Sequence, residues 1–228
     1  MKRKLSRRAL TRLLLAASVI FLVSRLRQRN RYPYLGLLRK AMKARYGADA
    51  AAAIVEEVLA RYCQHYQDRK HYKNRTLQMQ LEKNILPTLA LYQVLKEINP
   101  DQQALLVEME EFLEMPFVVP MKVIPLMRFF PDPFAVFRPA FHLIMKAFPQ
   151  EGWDNEWEEN SDRAIVFNTR GCFIKDVVTE YGAPELARVF CHTDDLIGSA
   201  LPESIRYVRQ GTLARGDECC DFRFERAG

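Results

Sequence analysis

Glycine and cysteine are scarce in this 228-residue chain, at 9 and 5 residues, and each shortage closes off a class of protein. No G-x-G-x-x-G and no G-x-x-x-x-G-K occurs. The glycine-rich turns that cradle dinucleotides and nucleoside phosphates are therefore excluded. Five cysteines are too few for a disulfide framework, and an odd number cannot pair completely. The apolar run Leu13–Val23, LLLAASVIFLV, is shorter than the about 20 residues that span a bilayer core. What remains is ordinary for a globular chain: 49% hydrophobic and 27% charged residues, with length enough to bury a core.

The net charge of +6 conceals a division along the chain. Fourteen of the 34 basic residues precede the first acid, Asp49, so the rest of the chain holds 20 basic against 28 acidic residues. A nucleic-acid binder spreads basic residues over its folded surface among stacking aromatics. Here they gather in a tail beside an apolar run, a pattern that points to a membrane and away from nucleic acid. Residues 1–31 are read as a membrane anchor, spanning or interfacial, with its arginines reaching the headgroups. A cleaved signal peptide and a basic helix packed on the body are the alternatives. Arginines on both flanks leave the side of the membrane undecided.

Residues 32–228 are expected to form one α+β domain, with 32–150 mainly helical and 163–228 carrying strands and helices. Ile54, Val55, Val58, Leu59, Tyr62 and Tyr66 recur at helical spacing within Ala48–Tyr72. Leu81, Ile85, Leu89, Tyr92 and Leu95 predict a second helix over Leu77–Ile98, kinked at Pro87. Asn99-Pro100-Asp101 stops it and caps a third helix over Gln102–Glu114. Pro116–Pro149 holds seven of the 12 prolines and seven of the 14 phenylalanines, which forbids one long helix. Short helices and turns lining the core are expected there, or an apolar wall over a small-molecule pocket or a second membrane-facing surface. Gln150–Asp162, with six acids, reads as a solvated loop. A strand at Arg163–Cys172, a helix ended by Gly182 and another begun at Pro184 follow. Tyr207–Ala214 and Cys220–Phe224 then form two strands joined at Arg215-Gly216-Asp217.

Four of the five cysteines lie in the last 57 residues, each near the end of an element. Cys172 stands at a helix start, where free N–H groups lower a thiol's pKa. Strand alternation sends Cys220, Phe222 and Phe224 to one face, and Cys219, Asp221 and Arg223 to the other. Three readings stay open. The cysteines can be small buried hydrophobes. They can form a metal site from Cys172, Cys191 and Cys219 or Cys220, with Asp194 as a further ligand. Or Cys172 is a nucleophile served by a nearby acid or His192.

The same residues carry a resemblance. Phe167-Asn168-Thr169-Arg170-Gly171-Cys172, Tyr181-Gly182-Ala183-Pro184-Glu185-Leu186, Phe190-Cys191-His192-Thr193-Asp194, Thr212-Leu213-Ala214-Arg215-Gly216 and Cys220-Asp221-Phe222-Arg223-Phe224 follow one another in that order. The string resembles the bacterial L-2-amino-thiazoline-4-carboxylic acid hydrolase family, and the Asn84-Ile85-Leu86-Pro87…Leu91-Tyr92 helix looks similar too. The resemblance implies a hydrolase of cyclic amidines or amides, classed with enzymes of carbon–nitrogen bonds. Its reaction would open a five-membered cyclic isothiourea to N-carbamoyl-L-cysteine.

Such chemistry needs a water attacking the amidine-like carbon, a departing thiolate and a cation for the substrate carboxylate. Cys172, Glu185, Asp194 and Asp221 are the candidate catalytic residues, with Asp194 or Glu185 as base. Arg170 and Arg206 are the candidate carboxylate clamps. A thiolate-bound divalent metal such as zinc, on Cys172, Cys191 and Cys220, would supply activated water. The alternative is a non-catalytic, membrane-tethered module that binds a small molecule or a metal.

Overall fold

Helical spacing becomes helix wherever apolar residues recur at intervals of three and four. In the computed structural model, which describes residues 32–227, α1 (Leu35–Tyr46) leads into α2 (Ala48–Asp68). The stripe of α2 buries Val58, Leu59 and Tyr62 almost completely. α3 (Arg75–Gln80) and α4 (Leu86–Ile98) are separated by a π-helical turn, Leu81–Ile85. The expected kink at Pro87 is thus a widened turn. Proline donates no N–H and crowds the carbonyl four residues back, so the wider coil accommodates it. The Tyr62 hydroxyl donates to the Glu82 carbonyl at 3.2 Å and the Thr88 hydroxyl to that of Asn84 at 2.7 Å. α5 (Gln102–Glu114) begins where expected, its first N–H groups taken by the Asp101 carboxylate at 2.9 and 3.1 Å.

The proline-rich stretch is broken as its composition requires. Short 3₁₀ turns at Met115–Phe117 and Ile124–Phe129 flank α6 (Val118–Val123), and α7 (Pro133–Met145) follows. Phe134, Phe137 and Phe141 on one face of α7 pack with Ile165, Phe167, Ile205 and Phe224 of the sheet in a core of their own. A larger core joins α1–α5 to the helices that follow the sheet's second strand.

The C-terminal half is a four-stranded antiparallel sheet, in the order β1-β2-β4-β3, with two helices. Its elements are β1 (Trp153–Asn160), β2 (Ala164–Cys172), α8 (Phe173–Glu180), α9 (Leu186–Ser199), β3 (Ile205–Val208) and β4 (Cys220–Arg226). β1 corrects the loop expected at Gln150–Asp162. Its acids hide a period of two, with Trp153 and Asn155 turned inward. The outer carboxylates find partners across the sheet: Glu156 with Arg170 at 2.6 Å, and Glu158 with Arg223 at 3.7 Å.

β3 ends at Val208, short of the Ala214 expected. The chain leaves the ladder because carboxylates replace the strand partner. Asp221 accepts from the N–H groups of Gln210 and Gly211 at 2.9 and 2.5 Å, and Asp217 from that of Thr212 at 2.7 Å.

The membrane reading needs correction. Among the described residues no helix is long and apolar enough to cross a membrane, so a transmembrane helix and a membrane-associated chain are not supported. The segment that prompted the reading, 1–31, lies outside the described residues.

Candidate functional site

The inward face of the sheet, α7, α9 and the π turn enclose a cavity of about 360 Å³. β2 presents Phe167 and Thr169 to it, and β4 presents Cys220, Phe222 and Phe224. The register pairs Phe167 with Phe222 and Thr169 with Cys220, so alternation places all five on one face. Cys172, at the end of β2 and the start of α8, also lines it.

α9 continues unbroken to Ser199. Cys191 and Asp194 therefore lie one turn apart on the same side, and both face the cavity. Thr212 joins two of the thiols, its Oγ1 lying 3.4 Å from Cys191 Sγ and 3.7 Å from Cys220 Sγ. The Leu213 N–H points at Cys220 Sγ from 3.3 Å. Gly198, on the next turn of α9, must lack a side chain, since a methyl there would overlap the ring of Tyr207.

The charge at this end comes from Arg209, only 4% exposed. Its Nη1 meets Asp194 at 3.0 Å, and its Nη2 meets Asp195 at 2.6 Å and the Cys191 carbonyl at 3.0 Å. The guanidinium lies 5.3 Å from the ring centre of Phe222. Tyr207 donates to Asp195 at 3.1 Å. Burial opposes the charge on Arg209, but Asp194 and Asp195 outweigh it and hold the guanidinium ionised. Asp194 is set in the opposite sense: loss of hydration pushes its carboxyl up to about 6, despite the opposing pull of Arg209. The carboxylate keeps 41% of its surface accessible, and it lines the cavity.

The thiols are poised differently from a nucleophile. Burial pushes Cys172 up to about 11, although the N–H groups of Lys175 and Ile174 at the start of α8 favour its thiolate. Burial likewise pushes Cys191 up to about 12, against the Thr212 hydroxyl. Both are protonated at neutral pH. Among the described residues no group of three or more His, Cys, Asp or Glu side chains is arranged to hold a metal ion. The Cys172, Cys191 and Cys220 set does not fit the zinc expected of it.

The structure gathers Cys172, Cys191, Cys220 and Asp194 on one cavity. It places the other candidates elsewhere. Glu185 accepts from the Tyr92 hydroxyl and pairs with Lys96 at 3.1 Å; burial raises its pKa, but those partners lower it on balance. Asp221 is the loop latch on the far face of the sheet. Arg170 pairs with Glu156, and Arg206 with Glu225, both at the surface. His192 meets Glu114 at 2.6 Å, tying α9 to α5. Sequence reading passed over Arg209, whose signal was a lone arginine directly after the apolar pair Tyr207-Val208. It also passed over Lys175 and Lys83, cations on the cavity wall that make no ion pair among the described residues.

Asn155 and Thr169 line the cavity as a buried pair, Thr169 Oγ1 donating to Asn155 Oδ1 at 2.6 Å. Thr169→Val keeps the shape and strands the amide. It should cost about 1–3 kcal/mol in a urea melt. An open depression of about 580 Å³ on α2 and α4 is lined by residues that pair with one another, Arg61 with Glu57 at 3.0 Å and with Glu97 at 2.7 Å. It contains none of the motif residues.

Four of the five motif strings thus contribute to one cavity, and Tyr181–Leu186 does not. Residues 128–224 match the model of the L-2-amino-thiazoline-4-carboxylic acid hydrolase family. The resemblance read from the motifs holds over that stretch, which contains β1–β3, most of β4, α7–α9, the three cavity cysteines, Asp194 and Arg209. The likeness to this hydrolase family is at family level. No curated protein matches the chain. A solved structure of an Fe(II) unliganded H-NOX protein from K. algicida is similar at 12% identity, covering 86% of this chain and 95% of that one. Its TM-score of 0.36 carries no argument for this site.

Proposed function

We propose that the cavity hydrolyses a small cyclic amidine- or amide-like substrate, with Asp194 as general base. One observation carries this reading: a carboxylate lines the cavity and is held at 3.0 Å by an arginine whose side chain is enclosed, and the loss of hydration there pushes its pKa upward. A base with a pKa near the working pH combines availability with driving force.

For a thiazoline carboxylate the step is a single hydrolysis. The water oxygen bonds to the ring carbon between sulfur and nitrogen, and Asp194 takes the water's proton. That proton passes to the doubly bonded nitrogen as its double bond to carbon opens. The carbon–sulfur bond then breaks as the oxygen becomes a carbonyl, the oxygen's remaining proton goes to sulfur, and both nitrogens stay on carbon as a urea. Arg209 positions Asp194. The protonated thiols of Cys172 and Cys191 are weak donors suited to a departing sulfur. Lys175, half-buried on the wall, is the better-placed cation for a substrate carboxylate than Arg170 or Arg206.

The apolar walls and the protonated thiols also favour a second reading, a non-catalytic small-molecule-binding module. Turnover separates the two. The purified full chain should convert 2-amino-thiazoline-4-carboxylate to N-carbamoylcysteine, detected by mass spectrometry. Binding without product would favour the module. If the hydrolytic reading holds, Lys175→Gln should raise KM on the order of tenfold, the value of one charge-assisted contact, with kcat little changed.

A further inference from the structure

The lining of the cavity divides by element. Asp194, the thiols, Thr169 and Lys175 come from β2, β4, α8 and α9. α5, the turn after it and α7 add six apolar residues to the lining: Phe112, Leu113, Phe117, Phe141, Ile144 and Met145. None of these six offers a side-chain hydrogen bond. A ring bearing an amine and a carboxylate takes its polar partners from elsewhere in the lining and has none to find among these six.

The volume, about 360 Å³, falls among pockets that hold drug-sized ligands, of about 300–1,000 Å³. The apolar wall also continues outward. Ile144 is 56% exposed, and Leu143 beside it is 66% exposed. A substituent longer than the enclosed space therefore has apolar surface to follow.

We infer that the substrate of this site carries a large apolar group, alkyl or aryl, on its polar ring, and that α5 and α7 bind it. The inference rests on the hydrolytic reading for the identity of the ring and on the cavity wall for the substituent. Removing apolar surface from water is worth roughly fourfold in affinity per buried methylene.

The test is calorimetric titration of the full chain with 2-amino-thiazoline-4-carboxylates bearing hydrogen, methyl, propyl and pentyl at the ring carbon next to sulfur. Kd should tighten by about fourfold per methylene along the series. Phe117→Ser and Ile144→Asn, both outside the buried cores, should flatten that slope. A flat or reversed slope in the natural chain overturns the inference, as does absence of binding across the series. A slope left unchanged by both substitutions also overturns it. Product from the bare ring with a flat slope would leave the hydrolytic reading standing. A steep slope without product from any member would sink that reading and support the apolar subsite.

Discussion

Asp194→Asn should lower kcat by about 10²–10⁴-fold, the contribution of a positioned general base, without unfolding the protein. The two outcomes separate because the carboxylate is costly to the fold at neutral pH. Burial raises its pKa to about 6, above the ordinary aspartate value of about 3.9. The folded state therefore holds this proton more tightly than the unfolded chain does. That preference contributes stability below about pH 4 and is lost as pH rises through about 6. Asn cannot ionise, so the variant should melt at or above the temperature of the natural protein at pH 7, and Arg209 keeps Asp195 as a partner. Matched melts with lost turnover would identify Asp194 as chemical. A variant that retains full turnover would remove it from the mechanism.

The same titration sets the pH profile. The base works ionised, so kcat/KM should fall as pH drops through about 6 and flatten above it. A profile that instead rises only above pH 9 would point to a cysteine thiolate, since burial holds those of Cys172 and Cys191 back to about 11 and 12.

What the sequence disclosed divides along physical lines. Helices with a clean apolar stripe and a cap, such as Gln102–Glu114 after Asp101, were legible to the residue. Periodicity and capping are local, and local signals survive in a single chain. β1 was not legible, because its acids satisfy a cross-strand need that only the folded sheet reveals. The early end of β3 escaped for a related reason, since Asp217 and Asp221 saturate the loop's amides from across a turn. The cavity cysteines were found because the motifs carry them and they stand at element ends. Glu185, Arg170 and Arg206 share those motifs or border them, but orientation decides a site: the two arginines pair at the surface, and Glu185 turns to Tyr92 and Lys96. Arg209 was invisible for the opposite reason. A lone arginine after a short strand looks like surface until α9 supplies two carboxylates over it.

Arg209→Met is the more disruptive change, and it should act on stability and chemistry together. Removing one member of a fully enclosed ion pair costs about 3–5 kcal/mol. Asp194 and Asp195 keep 41% and 55% of their surface, so a loss on the order of 2 kcal/mol is expected here. Asp194 would lose the charge that draws its pKa down. The acid limb of the activity profile should then move above pH 6, with kcat reduced even on the plateau because the carboxylate is no longer aimed. Arg209→Lys should recover part of the stability but not the geometry, since one ammonium cannot reach Asp194, Asp195 and the Cys191 carbonyl through a planar fork. Combining Arg209→Met with Asp194→Asn should cost less than the sum of the two, the signature of a coupled pair. Additive losses with an unmoved pH profile would reduce Arg209 to a packing residue and leave the raised pKa of Asp194 to burial alone.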